Sequence, residues 1–191
     1  DVNVSGLTAS WHQLNESDLA FLLRITARFD IGLRLAGNRL RAKPEESDPD
    51  PVAISPDDSA LKIRLITDLN HQPTQTSVSG YNLADDASTD FTCGGLSPAP
   101  SGSSAAATLN DLGWTSAETM PLPFARSSGE AEALAKAHFR RQGKQFISGD
   151  LVCQAEAGIT VGREIDLSRV SPRLCGIYQI VHSTHRFDNV A

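Results

Sequence analysis

The stretch from residue 13 to residue 42 constrains the fold of this chain most, because its pattern predicts a capped helix that runs directly into a tight β-hairpin. Asn15 is placed to cap the helix, with Asp18 three residues later as an acidic form of the capping box. Leu14 can pack against Leu19 as a hydrophobic staple. The start of the helix is therefore well marked.

The predicted helix is apolar around most of its circumference. A clear polar strip remains only at Ser17, Arg24 and Arg28. A surface helix needs an apolar face of about 100°. We therefore expect this helix to be covered on two sides, by its own domain and by something else. The apolar positions are Leu19, Ala20, Phe21, Leu22, Leu23, Ile25, Ala27 and Phe29.

The hairpin after the helix has a self-consistent register. With Gly37 and Asn38 as the central turn residues, Leu35 pairs with Leu40 and the two strands agree on their faces. The opposite face then carries like charges that oppose each other. This basic face is interpreted first as a solvated surface and second as a partner-binding patch. Its members are Arg34, Arg39 and Arg41.

Several runs of the chain resemble one protein family. The run QLNESDLAFLLRITARFDIGLRLAGNRL is similar to the helix-hairpin signature of the late control D family, the tail hub proteins of contractile phages, whose hub module is shared with the VgrG spike of type VI secretion. Gly80-Tyr81 resembles a strand end in these hubs. AGITVGREIDL and LCGIYQIVHSTHRF resemble the closing strands of the second hub barrel. Residues 84–126 are not matched.

The resemblance implies a fold, an assembly and a location. The fold would be α+β and mainly β, an antiparallel β-barrel or split-barrel hub domain with two α-helices and a β-hairpin. The full-length protein would be a homotrimer that joins the tail tube to the spike and has no catalytic role. It would lie in the bacterial cytoplasm during assembly, and then in the phage particle or the baseplate of an injection machine. The possible subunit interface comprises Phe21, Ile25, Arg34, Arg39 and Arg41.

Composition and motif spacing predict a division of the chain into three parts. Residues 1–12 read as a linker or the end of a missing upstream domain, so the chain is predicted to be a piece of a longer protein. Residues 13–60 hold the helix-hairpin and an acidic, proline-rich loop. The resemblance implies that residues 61–191 form the second barrel-like hub domain. This last part includes a low-complexity insertion at about 84–126 and an external helix at 128–142.

The last part is predicted to be rich in strands. The first two predicted strands are expected to pair antiparallel to each other, and the fourth has the cleanest alternation. The helix at 128–142 begins with a capping box of Ser127 and Glu130, and its narrow apolar stripe predicts a position outside a sheet. The strands are predicted at residues 61–69, 76–83, 145–154, 159–167 and 177–187.

Charge and hydropathy exclude some classes of protein. The formal net charge is −6, so general affinity for nucleic acid is not expected. No apolar run approaches the 18 residues or so that a membrane span needs, and no signal-peptide pattern is present. The cysteines, Cys93, Cys153 and Cys175, are widely spaced and odd in number. They indicate thiols in a reducing compartment rather than a disulfide framework or a zinc site.

No catalytic, cofactor-binding or metal-ligating motif is found in the sequence. His182 and His185 would point to opposite faces of a strand, so they would not share a metal. Cys93 lies in a glycine-rich run that could supply oxyanion amides, but no base is placed beside it. Asp57 and Asp58 are a formal carboxylate pair in a proline-rich loop, where solvated acids are more usual. The sequence therefore predicts a non-enzymatic protein.

Two other classes of function remain open. The first is a cell-wall-degrading hydrolase domain attached to an injection machine, which would require carboxylates or a metal to converge in a cleft. The second is a ligand-binding or adhesion module, which would require a concave site lined by aromatic side chains. Aromatic residues make up only 6% of the chain, which disfavours the second class.

Overall fold

The structure is a computed structural model that describes residues 10–44, 50–55, 60–95, 104–167, 169–170 and 174–187. This part of the chain is mixed α and β, with more strand than helix. The described helices are α1 (Asp18–Arg28), α2 (Ala105–Asp111) and α3 (Ser128–Gly143). The first strands are β1 (Ile31–Ala36), β2 (Arg39–Pro44), β3 (Val52–Ala53), β4 (Ala60–Thr67), β5 (Gln75–Asn82) and β6 (Ala87–Ser88). The remaining strands are β7 (Phe91–Cys93), β8 (Ala117–Ala125), β9 (Ile147–Cys153), β10 (Glu164–Asp166) and β11 (Ile177–Gln179).

The chain forms two compact units, and each unit is drawn from separate segments of sequence. The first unit comprises Asp1–Glu46, Leu69–Ser97 and Ala105–Gln145. The second unit comprises Ser47–Asp68, Pro98–Ser104 and Phe146–Ala191. In the described residues, no helix combines the length and the apolar character that crossing a bilayer requires.

Helix α1 begins later than predicted. Ser17, not Asn15, is the N-cap, and its hydroxyl accepts a hydrogen bond from the Ala20 amide at 3.3 Å. Asn15 instead adopts a φ of 51°, a left-handed conformation that asparagine tolerates better than most residues. Leu14 is exposed, so the predicted staple with Leu19 does not bury it. Both Asn15 and Ser17 are good caps by residue type, and the backbone turn at Asn15 leaves Ser17 in the capping position.

The predicted hairpin register is confirmed. Strands β1 and β2 pair antiparallel, with Leu35 opposite Leu40 and Arg34 opposite Arg41. Gly37 has a φ of +60°, as the glycine at the first central position of a type II′ turn requires. The turn residues and the alternation of apolar side chains therefore specify this element locally.

A small sheet and helix α3 form the core of the first unit. Strand β5 is central: β6 and β7 pair antiparallel along one edge, and β8 pairs parallel along the other. Helix α3 lies on this sheet, in agreement with its predicted position outside a sheet. The Ser127 hydroxyl accepts from the Glu130 amide as predicted, while the Glu130 carboxylate accepts from the Arg126 amide. The core side chains include Val78, Cys93, Ala125, Ala131, Leu134 and Phe139.

The predicted low-complexity insertion at 84–126 is wrong for the residues described there. This stretch contributes β6, β7, α2 and β8 to the first unit. Ala105, Ala106 and Leu109 of α2 are buried. The described part of this low-complexity run is therefore packed into the first unit and is not a linker. Helix α2 is also a third helix, where two were predicted.

The predicted pairing of strands 61–69 and 76–83 is wrong. Strand β4 pairs antiparallel with β9, and β5 pairs within the first unit. Alternation fixes which side chains share a face, but it does not identify the partner strand.

The two strands predicted near the C-terminus are shorter than expected. The run 159–167 forms a strand only at Glu164–Asp166, because a turn with Gly162 at a φ of 80° precedes it. The run 177–187 forms a strand only at Ile177–Gln179, since Gln179 is the last residue that pairs with β10. In both runs, the alternation of apolar residues therefore covers more residues than the strand that forms.

The second unit contains two sheets that share one apolar cluster. Strand β10 pairs antiparallel with β11 and parallel with β3, while β4 and β9 form a two-stranded ribbon. Leu65 of β4 and Leu151 of β9 pack against the cluster of the other sheet. The buried members of that cluster are Ile54, Ile165, Leu167 and Ile180. The strand pairings among the described residues do not close a barrel.

Candidate assembly surface

Helix α1 has two apolar faces with different surroundings. Phe21 and Ile25 lie on one face and are half-buried, and the Arg24 guanidinium lies over the Phe21 ring at 5.4 Å from its centroid. Leu19 and Leu23 lie on the other face and are 57% and 49% exposed. No residue of α1 is fully buried. The helix therefore presents an apolar face that the described part of the chain leaves largely exposed.

The segment before α1 folds back along the helix and covers part of its half-buried face. The Trp11 ring meets the Phe29 ring edge to face, with centroids 6.4 Å apart. The Arg28 guanidinium lies 5.0 Å from the centroid of the Trp11 ring. The backbone carbonyl of His12 accepts a hydrogen bond from Arg24 Nη2 at 3.3 Å. These contacts surround the C-terminal part of α1.

An ion pair fixes the same segment to the helix. Arg24 Nε donates to both carboxylate oxygens of Glu16, at 3.2 and 3.1 Å. This hydrogen bonding lowers the pKa of Glu16 below its usual value, and the same contact raises the pKa of Arg24. Both groups are therefore charged at neutral pH, and the pair persists there.

The joint between α1 and the hairpin is held by the end of α3. Asp30 has a φ of 54° and so turns the chain out of the helix. Its carboxylate accepts hydrogen bonds from Arg140 Nη1 at 3.3 Å and from Lys144 Nζ at 3.2 Å. Arg141 Nη1 donates to the carbonyl of Ala27 at 3.1 Å. Phe29 packs against the core of the first unit, which anchors the joint on its apolar side.

Side chains on both faces of the hairpin are exposed to solvent. Leu35 and Leu40 are 75% and 42% exposed. Arg34, Arg39 and Arg41 are exposed on the opposite face. Among the described residues, β1 and β2 pair with no third strand. A two-stranded hairpin is only marginally stable in isolation, so this element would gain from further contacts.

The predicted interface residues divide into two groups. Arg34, Arg39 and Arg41 share one exposed hairpin face, whereas Phe21 and Ile25 lie on the half-buried side of α1. The exposed leucines of α1 were not selected from the sequence. The sequence shows that these leucines share a helical spacing. Spacing alone does not show which side of a helix that is apolar around most of its circumference faces its own domain. We define the assembly surface as Leu19, Leu22, Leu23, Leu35 and Leu40 together with the three arginines.

The candidate chemical groups that the structure describes make local contacts. Cys93 is buried, and its thiol donates to the Gly95 carbonyl at 3.1 Å. His182 Nε2 lies 3.2 Å from the Thr184 hydroxyl, and His185 Nε2 lies 2.8 Å from the Ile159 carbonyl. In the described part of the chain, no three His, Cys, Asp or Glu side chains are grouped as a metal site would need. Residues 57 and 58 lie outside the described residues.

One histidine meets a carboxylate at the edge of α3. His138 Nε2 lies 3.1 Å from Glu118 Oε2 on β8. Thr76, which is fully buried, stands between Cys93 and Glu118 in the strand register. Because Thr76 has no exposed surface, we place the row of Cys93, Thr76 and Glu118 on the face of the sheet against which α3 packs.

Comparison with models of known protein families gives no match, and comparison with curated protein sequences gives none either. A functional assignment therefore depends on the sequence pattern of residues 13–40 and on the geometry of the assembly surface.

Proposed function

We propose that this chain is a structural component of the tail or baseplate hub of a contractile phage, prophage or related injection machine. In the full-length protein it would form a homotrimer that joins the tail tube to the spike. The observation that carries this proposal concerns α1. The helix that bears the hub-like run NESDLAFL is also the helix that exposes an apolar face. A helix of that kind fits a subunit whose neighbours cover it.

The exposed leucines would favour such an association. Burying a leucine side chain that was fully exposed contributes about 1.5–3 kcal/mol. Leu19 and Leu35 expose more than half of their surface and Leu23 exposes 49%, so each would contribute roughly half of that range or more when covered. Several kilocalories per mole would then offset part of the entropic cost of association.

The finer fold is part of the same proposal. In the second unit, the ribbon of β4 and β9 and the sheet of β3, β10 and β11 pack on one shared apolar cluster. Two small sheets around one core are the arrangement expected of a split barrel. We assign these strands to the second hub barrel.

The proposal is tested with charged substitutions on the two faces of α1 in the full-length protein. Leu19→Glu with Leu23→Glu should leave the fold intact and prevent recovery of the protein with its tail-tube and spike partners. Leu112→Glu, at a leucine of similar exposure on the turn after α2, is the matched control and should have no effect. Phe21→Asp or Ile25→Asp should reduce soluble folded protein as well, because these side chains are half-buried.

Circular dichroism separates loss of fold from loss of assembly in these variants. If the wild-type protein is never recovered with tube or spike proteins, the hub assignment is wrong. If the Leu19 and Leu23 variant assembles as well as the Leu112 control, the exposed face of α1 is not the interface.

A further inference from the structure

The helix-hairpin forms a substructure with many contacts of its own. We define the arm as residues 11–44, which comprise the segment before α1, α1 itself and the β1–β2 hairpin. Strands β1 and β2 pair with each other along their whole length, and α1 contacts β1. Within the same substructure, the Trp11 ring packs against Phe29, and Arg24 binds Glu16.

The described attachments of the arm to the rest of the first unit are concentrated where α1 ends, at residues 27–30. Phe29 packs against the core of the first unit and is the apolar anchor. Three basic side chains at the C-terminal end of α3 donate hydrogen bonds to the same short region. These are Arg140, Arg141 and Lys144.

The arm buries much less than the core to which it is attached. No residue of α1 is fully buried, whereas Ala131, Leu134 and Ala135 of α3 are. Regions with few buried side chains open locally at a lower free energy than the core. A helix of 11 residues such as α1 is marginal alone in water, and so is a two-stranded hairpin. Release of the arm should therefore expose the amides of α1, β1 and β2 together.

We propose that the arm is a hinged element that an ionic joint holds against α3. The ionic joint is the Asp30 carboxylate with Arg140 Nη1 at 3.3 Å and Lys144 Nζ at 3.2 Å. The hinge is the turn of Phe29 and Asp30 after α1, since residues at the ends of elements absorb the backbone rotation in such motions. Opening withdraws Phe29 from the core while the sheet and α3 stay folded. This inference goes beyond the proposed function and does not depend on it.

The ionic joint makes the position of the arm sensitive to salt. The side chains of Asp30, Arg140 and Lys144 are all partly exposed. Dissolved salt screens the attraction between exposed charges and screens buried charges much less. A rise in sodium chloride concentration should therefore favour the open arm.

Hydrogen exchange of the 191-residue chain, measured by mass spectrometry under native conditions, tests whether the arm opens separately. After correction for intrinsic rates, the amides of α1 and the hairpin should exchange about tenfold or more faster than those of α3. Asp30→Asn should speed exchange from the arm by about 5- to 30-fold and leave α3 unchanged within about twofold. Asp111→Asn, at an exposed carboxylate of α2, is the matched control and should change neither.

A second variant tests the ionic joint from the side of α3. Lys144→Gln removes the more exposed of the two donors to Asp30, so it should speed exchange from the arm by a smaller factor. Added to Asp30→Asn, it should have little further effect, because both variants remove the same ion pair. A rise in sodium chloride should speed exchange from the wild-type arm and have little effect on the Asp30→Asn arm.

Two results would overturn the hinged arm. The first is exchange of α1 and α3 through one common opening in the wild type. The second is an equal increase in exchange from α1 and α3 in Asp30→Asn, since both elements would then open together. If the arm exchanges separately but neither Asp30→Asn nor salt changes its rate, the ionic joint does not hold it and the inference is also overturned.

Discussion

Substitution of Asp30 by asparagine should loosen the helix-hairpin from the rest of the first unit. The carboxylate of Asp30 receives hydrogen bonds from both Arg140 and Lys144 at the joint between α1 and β1. Asp30 also has a φ of 54°, in the left-handed region. Asparagine tolerates this conformation as aspartate does. The change therefore removes the negative charge without adding backbone strain.

The expected loss follows from the burial of the three groups. Exposed ion pairs contribute about 0–1 kcal/mol, whereas breaking a buried pair costs about 3–5 kcal/mol. The Asp30 side chain is 12% exposed, and those of Arg140 and Lys144 are 28% and 37% exposed. This intermediate burial predicts a loss of about 1–2 kcal/mol for Asp30→Asn. Asp30→Ala should cost about 1–2 kcal/mol more, since alanine is strained at this φ.

Urea unfolding followed by tryptophan fluorescence measures this loss. Trp11 packs against Phe29 beside the joint, so a Trp114→Phe background makes Trp11 the sole tryptophan reporter. Asp111→Asn, at an exposed carboxylate of α2, is the control for loss of one negative charge. If Asp30→Asn falls within about 0.5 kcal/mol of this control, as ordinary surface substitutions do, then the ionic joint does not hold the helix-hairpin.

Three further perturbations test the fold. Gly80→Ala should destabilise the first unit by about 2–3 kcal/mol in urea unfolding, because its Cβ would lie 1.9 Å from a carbonyl oxygen of β8. Gly95→Ala meets nothing within 4 Å and should be neutral. Leu134→Ala should cost about 2–5 kcal/mol by the same measurement, since Leu134 is a fully buried residue of α3. Arg24 lowers the pKa of Glu16, so the stabilisation by this pair should be present above the usual pKa of 4.5 and lost as pH falls through the lower folded value. A carbon-detected NMR titration of Glu16 that gives a pKa at or above 4.5 would contradict this contact.

The hairpin and the two longer helices were predictable because their signals are local. The turn at Gly37 and Asn38 fixes the register of β1 and β2, and Ser127 caps α3 as its spacing indicates. The exact start of α1 was not predictable in the same way. Two good capping residues, Asn15 and Ser17, stand close together, and the choice between them depends on how the preceding segment folds back.

The strand partners were not predictable because they depend on distant parts of the chain. Strand β4 pairs with β9, which lies more than 80 residues later in the sequence. Strand β5 pairs with β8, and α2 lies between these two strands in the sequence. Periodicity gives the faces of these strands and carries no information on such pairings. Helix α2 was missed for a different reason. Its small residues resemble a linker in composition, although Ala105, Ala106 and Leu109 are buried in the structure.

Only part of the candidate assembly surface could be predicted from the sequence. The arginines were placed together by the hairpin register alone, and the structure keeps them on one exposed face. The sequence also indicated that α1 has more apolar surface than one domain covers. Which leucines remain open depends on Trp11 and Phe29, whose contact shields one side of the helix and is not encoded in any local pattern.

The mass of the full-length protein in solution tests the hub assignment most directly. Light scattering at rising protein concentration should give three times the mass of one chain, as a homotrimeric hub requires. The mass should fall towards that of one chain when Leu19 and Leu23 are both replaced by glutamate. A wild-type protein that keeps the mass of a single chain at the highest concentration reached would contradict the assignment.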